Sequence, residues 1–82
     1  MYKIDWGEKA LHSLTKLDVF LAKRILIKID KLQENPFSQN VKRLKNSSYF
    51  RLRVGDYSVI FEIIDDKIRI LKIGHRKNIY AK

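Results

Sequence analysis

Cysteine is absent from the 82 residues, which excludes disulfide staples and thiolate metal sites and points to a reducing, cytoplasmic compartment. Glycine occurs only three times, too rarely to build a loop that cradles phosphate in backbone amides. The two histidines, His12 and His75, stand far apart in sequence, so neither a metal site nor any other cofactor is expected. No serine sits in a nucleophile elbow. Long apolar runs are missing too: the longest, Val59 to Ile64, is interrupted by Glu62 and falls far short of the roughly 20 residues that a membrane helix needs. Met1 to Trp6 alternates polar with apolar residues and runs into Glu8 and Lys9, which is not the pattern of a secretory leader.

Acidic residues are also in short supply, with 9 Asp+Glu against 18 Lys+Arg for a formal charge of +9. The imbalance is uneven. Residues 1–40 carry seven bases and five acids, whereas residues 41–82 carry eleven bases and four acids. The second half therefore presents the surface that a polyanion would meet, with fast encounter and steep salt dependence. A length of 82 residues predicts a single domain spanning 1–82 with one modest core.

The periodicity gives an ordered set of elements. Tyr2 to Trp6 reads as a short strand, and Gly7 opens a helix in which Ala10, Leu11, Leu14 and Leu17 recur at three- and four-residue steps. Asp18 is the predicted N-cap of a second helix over Val19 to Glu34, with Leu21, Ile25, Ile29 and Leu32 on one stripe that Phe20 and Ile27 widen. Core packing is the expected fate of that whole stripe, with room for a partner helix on part of it. Asn35-Pro36 stops the helix, because the residue before proline is driven away from helical backbone.

Strand signals fill the rest. Val41 to Leu44 is a short candidate, and Tyr49 to Val54 alternates strictly, with Phe50, Leu52 and Val54 on one face and Tyr49, Arg51 and Arg53 on the other. Gly55-Asp56 is a two-residue turn with glycine first, as a type II′ hairpin wants. Its register sets Phe50 against Phe61, Arg51 against Ile60 and Arg53 against Ser58. A second turn at Asp65-Asp66 sets Ile63 against Ile68 and Glu62 against Arg69, the latter a favourable outward ion pair. Continuing that register puts Lys72 on the core side, so a bulge is expected near Leu71 to Ile73. The fold class is α+β: a leading strand, a helical hairpin and an antiparallel meander, with the helices on one sheet face and the arginine face open.

That face and the segment after the last strand hold the side chains with chemistry to offer. Arg51 and Arg53 share it, and His75, Arg76, Lys77 and Tyr80 follow the final strand toward the same surface. Guanidinium groups grip phosphate bidentately and aromatic rings stack on splayed bases. RNA cleavage without a metal needs such a set: the 2′-hydroxyl loses a proton, cations stabilise the phosphorane, and the 5′-oxygen is protonated as it leaves. Passive nucleic-acid binding uses the same cations, and Lys42, Arg43, Lys45, Arg69 and Lys77 are the expected RNA contacts around them.

The run from Tyr49 to Phe61, YFRLRVGDYSVIF, followed by Ile73 to Tyr80, IGHRKNIY, resembles the RelE/ParE superfamily of bacterial and archaeal toxins over nearly the whole chain. The resemblance implies a RelE-like fold and, on the RelE side, a ribosome-dependent endonuclease that cuts messenger RNA in the A site. It implies a cognate antitoxin partner, a toxin-antitoxin hetero-oligomer and contacts with ribosomal RNA, with no membrane involved. On the matching positions, Arg51 and Arg53 would ground and polarise the phosphate, Arg76 would stabilise the transition state, Tyr80 would stack on or position the nucleotide, and His75 would act as acid or base. One position departs: the residue after Tyr57, commonly basic, is Ser58. Two alternatives stand beside the nuclease, a ParE-like inhibitor that binds DNA gyrase without catalysis and a passive basic RNA-binding module.

Overall fold

The computed structural model describes residues 1–38 and 40–79. The elements run β1 (Lys3–Trp6), α1 (Glu8–Thr15), α2 (Val19–Lys31), β2 (Val41–Arg43), β3 (Tyr49–Val54), β4 (Tyr57–Ile64) and β5 (Lys67–His75). They form one five-stranded sheet in the order β1-β5-β4-β3-β2. Every neighbouring pair is antiparallel except β1 with β5, which is parallel. The chain thus leaves β1, crosses through both helices and the meander, and returns beside its own start.

Local chemistry sets the helix boundaries. The Asp18 carboxylate accepts from the backbone N–H of Phe20 at 2.8 Å and of Leu21 at 3.4 Å, an N-cap that satisfies donors with no partner in the first turn. Helix α2 ends at Lys31, three residues before the expected Glu34, and a series of turns carries the chain to Pro36. Only one edge of its apolar stripe is buried. Ile25, Ile29 and Leu32 pack with Leu52, Val54, Val59, Phe61, Ile68, Ile70 and Ile73 of the sheet, each side chain contributing about 1.5–3 kcal/mol by leaving water. Phe20 and Ile27 are instead 77% and 56% exposed. They lie seven residues apart on the solvent side of the helix, so the expectation of core packing fails for them: the sheet can receive only one face of a single helix.

Both hairpins adopt the expected registers. Val54 pairs with Tyr57 and Ile64 with Lys67, around turns in which Gly55 has φ 59° and Asp65 φ 56°. Phe50 stacks on Phe61 with ring centroids 5.5 Å apart. The expected bulge is present on β5: Phe61 faces Ile70 while Ile60 faces Lys72, which leaves Leu71 unpaired. That extra residue reverses the alternation, sending Lys72 outward and Ile73 into the core.

Candidate nucleic-acid interface

Strand alternation and register together lay out the sheet face opposite α2 in rows. One row reads Lys42, Arg51, Ile60, Lys72 across β2, β3, β4 and β5, and the next reads Arg53, Ser58, Gly74 across β3, β4 and β5. Three strands, β2, β3 and β5, contribute the cations, and β4 lies between β3 and β5 without one in these rows. Arg51 and Arg53 are both half-buried, and with Lys42 and Asn40 they line a concavity of about 140 Å³. The Arg53 N–H donates to the Asn40 carbonyl at 3.1 Å, which ties the loop before β2 to this edge.

Among the described residues no carboxylate pairs with Arg51 or Arg53. Among the described residues the one ion pair joins Arg69 Nε to Asp5 Oδ2 at 3.1 Å, and the Nε atoms of Arg51 and Arg53 are buried without a hydrogen-bond partner. Packed guanidinium groups with unused donors are suited to a phosphate, whose oxygens accept in the same plane as the fork.

The other expected residues scatter. Arg43 alternates to the core side of β2, opposite Phe50, and its Nε donates to the Ser47 carbonyl at 3.1 Å. Arg69 faces Glu62 as expected, yet forms its ion pair with Asp5 of β1, because the parallel β1–β5 pairing brings that carboxylate alongside. His75 falls on the core side of β5, opposite Tyr57, where the rings meet edge-on with centroids 5.5 Å apart. Its Nδ1 accepts from the Lys77 N–H at 3.2 Å. The expectation that His75 shares the arginine face is therefore corrected by strand alternation: Gly74 takes the outward position and His75 the inward one. Arg76 and Lys77 are exposed in the turn beyond β5, and the Arg76 N–H donates to the Asp56 carbonyl at 2.8 Å. That bond anchors the Arg76 backbone at the Arg53 end of the face. Lys45 is exposed in the turn between β2 and β3. Tyr80 lies outside the described residues.

The arginine face is also less open than expected. Ile79 is 6% exposed and packs over Gly74, and Ile60 beside it is 5% exposed. Next to them a cleft of about 440 Å³ is lined by Leu44, Tyr49, Ile60, Leu71 and Ile79 together with Lys9 and Lys72. Lys72 Nζ donates to the Ile79 carbonyl at 3.4 Å. Lys9 and Lys72 thus join the outer face although sequence reasoning did not nominate them. The signal for Lys72 was its wrong-sided place in the unbulged register; Lys9 gave none, since its approach depends on α1 lying along β5. No group of three or more His, Asp or Glu able to hold a metal occurs among the described residues, and no helix there is long and apolar enough to cross a membrane.

The family model described as the ParE toxin of type II toxin-antitoxin systems, parDE, matches residues 4–80. The chain belongs to that toxin family. It is a type II toxin of the RelE/ParE superfamily. Among individual relatives, Toxin RelE3 of Methanocaldococcus jannaschii is 29% identical over 83 aligned residues, covering 95% of this chain and 94% of the relative. The toxin chain in the archaeal RelE-RelB complex of Pyrococcus horikoshii superposes with a TM-score of 0.82 at 27% identity, over 94% of this toxin and 97% of that chain. The RelB-RelE antitoxin-toxin complex of Methanococcus jannaschii gives 0.77 at 29% identity, over 93% and 94%. The α+β architecture is therefore that of RelE toxins.

Proposed function

We propose that this toxin is a ribosome-dependent endoribonuclease that cuts translated messenger RNA in the A site. The observation that carries the reading is the pair of half-buried arginines, Arg51 and Arg53, with unpartnered guanidinium nitrogens around one phosphate-sized concavity shared with Lys42. In the proposed reaction the 2′-oxygen bonds to phosphorus as its proton leaves to solvent. The P–O5′ bond then breaks and the 5′-oxygen takes up a proton. Arg51 and Arg53 hold and polarise the phosphate, and Arg76, tethered through Asp56 at the same end, stabilises the extra negative charge of the phosphorane. Tyr80 is assigned base stacking by the resemblance, Lys42, Lys45 and Lys77 contact the RNA backbone, and His75 on the core side is assigned no proton transfer. Purified toxin added to ribosomes translating a defined message should yield fragments ending in a 2′,3′-cyclic phosphate and beginning with a 5′-hydroxyl. Fragments with a 5′-phosphate would rule out this chemistry.

The ParE-like alternative draws on the family match and on Ser58, which brings no charge to a commonly basic position. It requires inhibited DNA supercoiling without RNA cuts, whereas a passive RNA-binding module gives neither effect.

The antitoxin partner is proposed by analogy with the relatives, which were crystallised with theirs. On this chain its seat is the solvent face of α2, where Val19, Phe20, Leu26 and Ile27 are exposed among Lys23, Arg24 and Lys31. That pattern fits an acidic amphipathic segment. Phe20→Glu with Ile27→Glu should weaken antitoxin capture at least ten-fold in a binding titration while leaving the urea midpoint of the toxin unchanged. Undiminished capture would move the antitoxin elsewhere.

A further inference from the structure

Ser58 is the one buried polar residue among the described residues, 0% exposed, and its Oγ has no hydrogen-bond partner. Directly across on β3 stands Arg53, whose Nε is likewise buried and unpartnered. The two belong to the close kind of antiparallel pair. The Val54–Tyr57 pair flanks the two-residue turn, so the next pair inward does not exchange backbone hydrogen bonds and its side chains stand nearer together. The backbone agrees, since the Arg53 N–H is directed away from β4, to the Asn40 carbonyl at 3.1 Å. Water does not reach Ser58. Gly74, its partner on β5, lies under Ile79, whose side chain is 3.6 Å from where a Gly74 Cβ would stand.

A buried hydroxyl and a buried N–H, each lacking a partner, are costly separately and complementary together. We propose that Ser58 is a positioning residue for Arg53: its Oγ accepts the Arg53 Nε–H when a phosphate occupies the face, leaving both terminal nitrogens to the phosphate. This rests on the reading of the face as an RNA-phosphate site. Turning the guanidinium plane toward β4 satisfies both groups and presents the Nη pair end-on, in bidentate geometry. Where the superfamily pattern commonly supplies another cation, this chain has a hydroxyl that fixes the cation opposite. The small Ser58 leaves room on β4 for the long Arg53 side chain to reach across from β3.

The test uses the full-length chain and a 2′-O-methylated trinucleotide, which lacks the attacking 2′-hydroxyl and so is not cut. Wild-type Arg53 should show its Nε–H resonance shifted and slowed in solvent exchange on addition of the oligonucleotide. Ser58→Ala should abolish that change and weaken binding about ten-fold, and Ser58→Thr should restore both. In an Arg53→Ala background, Ser58→Ala should cause no further loss. The urea midpoint of Ser58→Ala should equal or exceed that of the wild type, since the variant deletes an unpartnered hydroxyl, and this separates positioning from folding. Wild-type binding by Ser58→Ala, or losses that multiply in the double variant, would overturn the role of Ser58 while leaving the arginine face intact. Wild-type binding by Arg53→Ala would overturn both.

Discussion

At the residue scale, Gly7 is held in close backbone contact: a Cβ there would stand 2.8 Å from the Ile70 carbonyl oxygen, which already accepts the Gly7 N–H at 2.8 Å. Gly7→Ala should therefore cost about 1–3 kcal/mol by overpacking the junction of β1 and β5, read as a lowered urea midpoint; an unchanged midpoint would show that the junction yields. Composition hides that constraint, whereas the arginine pair was open to view. Arg51 and Arg53 were legible because a strict alternation over six residues leaves them no other side. Their orphaned Nε atoms were not, because partner-finding depends on the three-dimensional packing of β2, Ile79 and the turn beyond β5. His75 shows the limit of reading by proximity: one step along a strand reverses a side chain, and the bulge that sets the phase lies four residues earlier.

At the element scale, the turns made the meander readable. Gly55-Asp56 and Asp65-Asp66 fix two registers that agree on one core face, and the misplaced Lys72 announced the bulge. The parallel pairing of β1 with β5 left no such mark, because strands separated by about sixty residues are joined by no turn that would set their register. That pairing is what diverts Arg69 to Asp5 and lays α1 along the second half of β5. Likewise, the stripe on α2 looked like core throughout, since hydrophobicity alone does not say how much of a helix the sheet can cover. The bulge carries a direct prediction. Deleting Leu71 should throw Lys72 into the core and Ile73 out of it, costing more than about 3 kcal/mol through an unpaired buried charge and a lost apolar contact. Loss of the cooperative unfolding transition is the expected outcome, and a stably folded deletion would show that β5 can slip without penalty.

At the scale of the whole molecule, the fold gives the two faces of its sheet different characters. The sheet buries its apolar side under α2, and the other side gathers Lys42, Arg51, Arg53 and Lys72 from three strands, with Lys9 approaching from α1. The excess of positive charge seen in the second half of the sequence becomes a localised surface because the meander comes from that half. Val19, Phe20, Leu26 and Ile27 are exposed on α2, away from the arginines, so the proposed RNA and antitoxin contacts fall on different surfaces. The central claim, that the arginine face cuts translated RNA, is tested most directly by primer extension on a messenger RNA after induction of the wild type and of Arg51→Ala with Arg53→Ala. The account predicts discrete stops spaced by codon position within the translated region for the wild type, and at least a hundred-fold loss of them in the double variant with its fold preserved. Growth arrest by the wild type without any such stops, accompanied by inhibited supercoiling, would contradict it.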